Sequence, residues 1–315
     1  MSDYKKTSTA QEPFDNPDCD IILRSSDGVD FHVFKFIISH VSSVFKDMFT
    51  HPQAESDVSS VPVISVKESS TTLNSLLLLC YPATIPTFNS LEDAEDVLKA
   101  VMKYEMLAVL SRAGDLIVVQ FVSTNSLRLY ALSCSFGWEH HAQTAATQAL
   151  KIKDLGRPSS DFAGIDDISA FDYHRLLAYH YECGVAAKAV GQSLSWLGPL
   201  ANDMCMWKCN SEDRASGPLY INAQLGPQWL VAWFHEYLVS IGNELLARPC
   251  GSILWESEFY DRAVTKAVQC TFCRGTVVGT MSKLRTLHVA EVKRVVADVR
   301  LKSPRANSLN KCVVC

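Results

Sequence analysis

The sequence predicts an α+β protein, in which an N-terminal small mixed sheet covered by helices is followed by a mostly α-helical C-terminal region. Strand-like segments are confined to the first part of the chain, and helical apolar spacing dominates the rest. Of the 315 residues, 48% are apolar and 20% are charged, which excludes wholesale disorder and collagen-like or coiled-coil chains. The length suggests two domains, with room for a third.

The predicted sheet begins with a β-hairpin. Residues 20–24 are largely apolar, residues 29–33 alternate apolar and polar side chains, and a Ser-Ser-Asp-Gly turn joins the two segments. Residues 34–49 carry apolar side chains at helical spacing, but three serines interrupt them, so we expect two short helices. Residues 61–66 predict a third strand.

Two more helices complete this predicted unit. The Ser-Ser-Thr-Thr segment at residues 69–72 can cap a helix over residues 73–80, and Tyr81-Pro82 ends it. Residues 91–110 predict one helix with acidic residues near its positive N-terminal end. The expected order is therefore strand, strand, helix, helix, strand, helix, helix.

Several of these segments together resemble a BTB/POZ domain over residues 17–116. The segments that carry the resemblance are Asp-Ile-Ile-Leu at 20–23, the Phe-rich stretch at 31–39, Ser-Val-Phe-Lys-Asp-Met-Phe at 43–49, Leu-Leu-Leu-Leu-Cys-Tyr-Pro at 76–82 and Met-Lys-Tyr-Glu-Met at 102–106. The combination with later helices and a late Cys-x-x-Cys is similar to BTB proteins of mushroom-forming (basidiomycete) fungi.

The resemblance implies a protein–protein interaction module whose candidate contact residues are Met48, Phe49 and Glu55. A homodimer and a cullin are the partners it suggests. Glu55 matches a cullin-binding element of such domains, whereas Gln53 stands where an apolar residue is expected. Phe34 replaces a usual His, and residues 1–16 are too short and Pro-broken to supply the helix that such dimers often exchange.

The rest of the chain divides into further predicted regions. We expect a disordered tail over 1–16, a helical, BACK-like extension over 117–198, a Cys-bearing helical domain over 199–301 and a basic tail over 302–315. Two Arg-Leu-x-Ala segments, each leading to a glycine, span residues 128–137 and 175–184. They lie 47 residues apart, which predicts two related helical hairpins or reflects chance similarity. We also expect a loop over 211–218, and helices over 228–246, with Trp229 facing inward, and over 281–301.

The eleven cysteines are an odd number, and no secretory signal is visible at the N-terminus, so we expect an intracellular protein, cytoplasmic or nuclear. Cys19, Cys80, Cys134 and Cys183 lie in apolar patterns and are expected to be core residues. Two close pairs are different, because thiolates at such spacing can bind one structural zinc ion. The candidate ligands are Cys205, Cys209, Cys270 and Cys273, and reduced core cysteines are the alternative.

The C-terminus ends in Lys-Cys-Val-Val-Cys, which fits a prenylation pattern at Cys312 with basic residues upstream. Lipidation there would tether the protein to a membrane. A plain cysteine-containing tail, or a second metal pair that joins Cys270 and Cys273, is the alternative. From Arg274 onward, nine Lys or Arg face only two acidic residues, but no aromatic residues are interleaved with them, so nucleic-acid binding is not expected.

No enzyme signature accompanies these features. The chain has no Gly-x-Gly-x-x-Gly, no phosphate-binding Gly-x-x-x-x-Gly-Lys and no Gly-x-Ser-x-Gly motif. His235-Glu236 starts a zincin-like pattern, but Val239 occupies the position of the second His. Together with these absences, the resemblance to a BTB/POZ domain implies a non-catalytic adaptor or scaffold. The alternatives are a substrate adaptor of a cullin-type ubiquitin ligase and a prenylated, membrane-tethered adaptor.

Overall fold

The computed structural model describes residues 7–50, 61–82, 84–157, 162–209, 214–256 and 258–303. Contacts divide the chain into two compact units, an N-terminal unit up to Asn125 and a C-terminal unit from Ser126. The fold class is α+β, as predicted, with a small mixed sheet and helices at the N-terminus and a largely helical C-terminal region. No helix in the described ranges is both long enough and apolar enough to cross a membrane.

The N-terminal sheet has four strands within the described residues, in the order β1-β3-β2-β4. β2 and β3 are antiparallel and form the predicted hairpin, whereas β1 and β4 pair in parallel at the two edges. Gly28 supplies a φ of 92° at the turn, and the Val29 amide donates to Ser25 Oγ at 2.9 Å. The strands are β1 Ser8–Thr9, β2 Ile21–Arg24, β3 Val29–Val33 and β4 Val63–Ser65.

Helices cover this sheet, and the prediction of two short helices before the third predicted strand is confirmed. Ser42 separates them in an extended conformation, and its hydroxyl accepts from the Phe45 amide at 3.0 Å. Ser69 caps the next helix through the Thr72 amide, as expected. The helices are α1 Lys35–Val41, α2 Ser43–Thr50, α3 Ser70–Cys80, α4 Leu91–Lys103 and α5 Leu107–Phe121.

Two expectations for this unit were wrong. The single helix over 91–110 is broken into α4 and α5, since Glu105 between them adopts a φ of 50°, which ends a right-handed helix. The expected disordered tail is instead ordered in its described part, because β1 pairs with the sheet and the Phe14 side chain is fully buried. Phe14 packs against Phe31 and Tyr81, with ring centroids 5.8 and 5.3 Å apart.

The C-terminal unit is a set of helices with one two-stranded antiparallel sheet in its described residues. The predicted boundary at 116/117 falls inside α5, and the boundary at 198/199 falls inside a 3-10 segment, Ser195–Asp203. The elements are α6 Ser126–Ser135, α7 Glu139–Ala149, α8 Ala170–Ala189, β5 Arg214–Asn222, β6 Gly226–Val231, α9 Ala232–Ala247, α10 Ile253–Glu256, α11 Glu258–Val268 and α12 Val277–Asp298.

The β5–β6 hairpin corrects the prediction of a loop followed by a long helix from residue 228. The Asn222 side chain accepts from the amides of Gln224 and Leu225, and Gly226 adopts a φ of 62°, so a tight turn forms before the helix begins. Trp229 lies on β6 and is 49% exposed, which corrects its predicted inward position. The sequence pattern misled here because β6 leads directly into the apolar helix α9.

The second predicted helical hairpin is also absent from the described residues. The first copy does form the hairpin α6–α7, where Gly137 turns the chain with a φ of 69°. In the second copy, Gly184 lies inside the continuous helix α8, where a Cβ would collide with the backbone carbonyl of Leu246. The same residue type therefore makes a turn in one copy and a close contact between α8 and α9 in the other.

Candidate functional site

The first candidate site is the surface of α2, which holds two of the predicted contact residues. Phe45 anchors this helix, because its fully buried ring stacks on Tyr104 at 4.3 Å between centroids. Phe49 packs against Phe45 at 5.8 Å, and both Met48 and Phe49 are half-buried. The helix thus presents these two side chains partly to solvent. Glu55 lies outside the described residues.

Other apolar side chains of the N-terminal unit are far more exposed than Met48 and Phe49. Phe36 on α1 is 81% exposed, and Val119 on α5 is 83% exposed. Leu107 on α5 and Ile85 are also exposed. Because α1 packs against α5, Phe36, Leu107 and Val119 belong to neighbouring helices. Contiguous exposed apolar area on a folded domain is typical of protein interaction surfaces.

The second candidate site is a cluster of cysteines in the C-terminal unit. The sulfur atoms of Cys209, Cys270 and Cys273 all lie within 4.8 Å of one another. The Sγ atoms of Cys209 and Cys270 are 3.6 Å apart. Cys209 and Cys273 are buried, whereas Cys270 is partly exposed. Three of the four cysteines that the sequence selected as zinc ligands are therefore close together.

Two short segments bring these sulfur atoms together. Cys209 ends a turn in which its amide donates to the Cys205 carbonyl at 3.1 Å, and the Val231 amide ties this turn to β6 by donating to Met206 at 2.9 Å. Cys270 follows α11, and Cys273 precedes α12. Because α11 packs on α9, which follows β6 directly, the chain returns to the first pair after about sixty residues.

Cys205 lies outside the group of three mutually close sulfur atoms. Its side chain is only 5% exposed. Burial raises the pKa of the Cys273 thiol, and the neighbouring Cys205 and Cys209 raise it further. In contrast, the backbone amides of Cys273 and Phe272 hold the pKa of Cys270 below its ordinary value.

The remaining predicted residues are the lipidation candidate and the four cysteines that were expected in the core. Cys312 lies outside the described residues. Cys19 and Cys183 are buried, whereas Cys80 and Cys134 are half-buried. Burial raises the pKa of Cys80, Cys134 and Cys183 to about 12, which keeps these thiols protonated and unreactive at neutral pH.

A comparison with protein families agrees with the N-terminal fold. The family model of the BTB/POZ domain matches residues 11–120. Residues 11–120 are a BTB/POZ domain. Domains of this family are generally protein–protein interaction modules and are typically non-catalytic. No curated protein matches the chain.

The match begins at residue 11, ahead of the resemblance found at residue 17, and it includes the buried Phe14. The sequence reasoning also missed Phe36 as a surface residue of the BTB/POZ domain. The apolar stripe of α1 passes through residues 34, 37, 38 and 41, so an aromatic residue at 36 lies off the buried face. Its position off the apolar stripe could therefore have identified Phe36 as a surface residue.

Proposed function

We propose that this protein is a non-catalytic adaptor that binds other proteins through its BTB/POZ domain. The observation that carries the proposal is the 81% exposure of Phe36 on a helix where Ile38 is fully buried and Ile37 and Val41 are half-buried. An aromatic ring buries a large apolar area when a partner covers it, and this burial favours association. The half-buried Met48 and Phe49 on the next helix would extend the contact area.

A second copy of the chain is the first partner to test. The apolar residues of α1 and α5 can face their own equivalents across a two-fold axis, which is the commonest arrangement of homo-oligomers. Light scattering on the purified full chain should give the mass of a dimer. Phe36→Glu should give the mass of a monomer, because it would place a charge in the interface. Lys46→Glu, at an exposed position on α2, is the matched control and should remain dimeric.

A cullin is the second partner to test, as the narrower form of the same proposal. If the wild-type chain is monomeric, titration calorimetry with a purified cullin should show binding that Met48→Glu weakens at least about tenfold. Lys46→Glu again controls for the added charge. A folded chain that neither self-associates nor binds the cullin would contradict the proposed function.

A further inference from the structure

The loop from Thr271 to Thr276 has a single buried side chain. Its residues are exposed except for Cys273, which is fully buried at 0% exposure. Local backbone hydrogen bonds of the loop run from the Arg274 amide to the Cys270 carbonyl and from the Thr276 and Val277 amides to the Cys273 carbonyl. One small buried thiol contributes little apolar burial, so the position of this loop needs another source of stability.

The arrangement of the sulfur atoms fits a tetrahedral metal ion. Zinc–thiolate bonds of about 2.3 Å place neighbouring ligand sulfurs about 3.8 Å apart in a tetrahedron. The Cys209 and Cys270 sulfurs are 3.6 Å apart. Two sulfur atoms in van der Waals contact would lie at a similar distance. The position of the third sulfur therefore distinguishes a metal site from a simple contact. Cys273 lies within 4.8 Å of both, so all three sulfurs can share one ion.

We propose that Cys209, Cys270 and Cys273 bind a structural zinc ion and that Cys205 is its fourth ligand. Cys205 lies one turn before Cys209 and is buried, so the same turn can supply two ligands to one ion. Each thiol that binds releases its proton to solvent. This site is independent of the adaptor role proposed for the BTB/POZ domain.

The surroundings of the cluster match a structural site better than a catalytic one. Four cysteine ligands leave no open position for water or substrate, which is the arrangement of closed structural sites. The partly exposed Cys270 provides a path for the ion to enter. Backbone amides of Phe272 and Cys273 lie against the Cys270 sulfur, and such donors orient a ligand and stabilise its negative charge.

A disulfide is the competing use of these residues. It would join Cys209 to Cys270 and leave the buried Cys273 thiol unpaired beside the bond. A zinc ion binds all three clustered sulfur atoms, and its binding needs no oxidant, whereas formation of a disulfide does. The two states differ in mass and in metal content, so they can be distinguished directly.

The first experiment measures zinc in the full chain purified under reducing conditions. The protein should contain about one equivalent of zinc by inductively coupled plasma mass spectrometry. A chelator should remove the metal and lower the melting temperature, and added zinc should restore it. A chain without zinc that gains no thermal stability from added zinc would overturn the proposal. So would a non-reduced chain that shows the mass of a disulfide and binds no zinc after reduction.

The second experiment uses a matched pair of variants. Cys270→Ser changes the most accessible ligand, and Cys250→Ser changes a half-buried cysteine of the same unit outside the cluster. The zinc affinity should fall at least about tenfold in Cys270→Ser and remain unchanged in Cys250→Ser. Comparing both variants with metal-free wild type by melting temperature shows that they fold. Equal zinc affinity in the two folded variants would contradict the proposal.

The third experiment tests the fourth ligand. Cobalt(II) in place of zinc should give the visible spectrum of a tetrahedral thiolate site in the wild-type chain. Cys205→Ser should lower the sulfur-to-cobalt charge-transfer absorption by about a quarter, because one thiolate of four is removed. An unchanged charge-transfer intensity would overturn the assignment of Cys205.

Discussion

The BTB/POZ unit and the C-terminal unit differ in what they bury. Among the described residues, the buried polar side chains of the N-terminal unit are serines: Ser25, Ser42 and Ser75. The C-terminal unit buries ionisable groups in addition: Asp172, Arg175, His180 and His288. Burial of an ionisable group is costly unless it is paired or neutral. The N-terminal unit is thus stabilised mainly by apolar packing, whereas the C-terminal unit depends on specific partners and protonation states.

The same contrast appears at the surface. The BTB/POZ unit leaves Phe36 and Val119 more than four-fifths exposed, so it has apolar area available for a partner. The C-terminal unit places the clustered sulfur atoms of Cys209 and Cys273 inside. Single substitutions should therefore change association in the first unit and stability in the second. All six tryptophans lie at or after residue 138, so tryptophan fluorescence follows the C-terminal unit alone.

The largest expected effect is at the buried ion pair. The Arg175 side chain is 2% exposed, pairs with Asp172 at 2.8 Å and Glu139 at 3.0 Å, and donates to the Lys302 carbonyl at 2.7 Å. Arg175→Ala should lower the free energy of unfolding of the C-terminal unit by about 4 kcal/mol, because it leaves the Asp172 carboxylate without its cation. Denaturant titration followed by tryptophan fluorescence measures the change.

The control for this prediction occupies the equivalent position of the sequence repeat. Arg128 pairs with the largely exposed Asp167 at 2.6 Å. Arg128→Ala should cost at most about 1 kcal/mol, since the Asp167 carboxylate is 63% exposed and water can solvate it when its cation is removed. Similar losses for the two variants would show that the buried pair is not special, and the contrast between the units would fail.

The next effect depends on pH and on His288. Its ring is fully buried beside Trp196, and burial lowers its pKa from 6.5 to about 4. The unfolded chain therefore binds a proton between these values that the folded chain does not. Stability should fall as the pH decreases from 6.5 to 4, by about 3 kcal/mol in total.

His288→Phe isolates this contribution, because it retains an aromatic ring and removes the titration. The variant should lose less unfolding free energy than wild type between pH 7 and pH 4, by tryptophan-monitored denaturation. Arg294 lowers the pKa of Glu291, so this carboxylate also makes stability fall as the pH decreases. This contribution of the Arg294–Glu291 pair is present in both proteins. Parallel pH profiles for the two proteins would contradict the assignment to His288.

A smaller effect is expected at the contact between α8 and α9. A Cβ on Gly184 would collide with the Leu246 carbonyl, and neither backbone can move away without disturbing its helix. Gly184→Ala should therefore lower the free energy of unfolding by about 2 kcal/mol, although alanine favours a helix. Gly279→Ala on α12, where a Cβ meets open space, is the control and should not destabilise the protein.

The smallest effect on stability is expected at Phe36 in the BTB/POZ unit. Because the ring is 81% exposed, Phe36→Ser should change the free energy of unfolding by no more than about 0.5 kcal/mol. Differential scanning calorimetry is the suitable measurement, since this unit has no tryptophan. A loss of several kcal/mol would mean that Phe36 serves the fold, and the contrast between the two units would disappear.

Local signals explain why much of the BTB/POZ unit could be predicted. The Ser25–Gly28 turn, the serine that divides α1 from α2 and the Ser69 cap each act within a few residues. The β5–β6 hairpin was missed because its turn lies next to a strongly apolar helix. The burial of Phe14 was missed because it depends on Phe31 and Tyr81, which are distant in sequence.

For the cysteine cluster too, one part can be predicted from the sequence and another part depends on packing. The close pairing of these cysteines is visible in the sequence, because spacing within a pair is a local property. That Cys209, Cys270 and Cys273 meet, and that Cys205 is not among them, depends on the packing of distant segments. The sequence likewise shows Phe36 off the apolar stripe of α1, but the packing of the other helices is what leaves its ring 81% exposed. Contacts between distant segments depend on how whole elements pack, and no local pattern records that geometry.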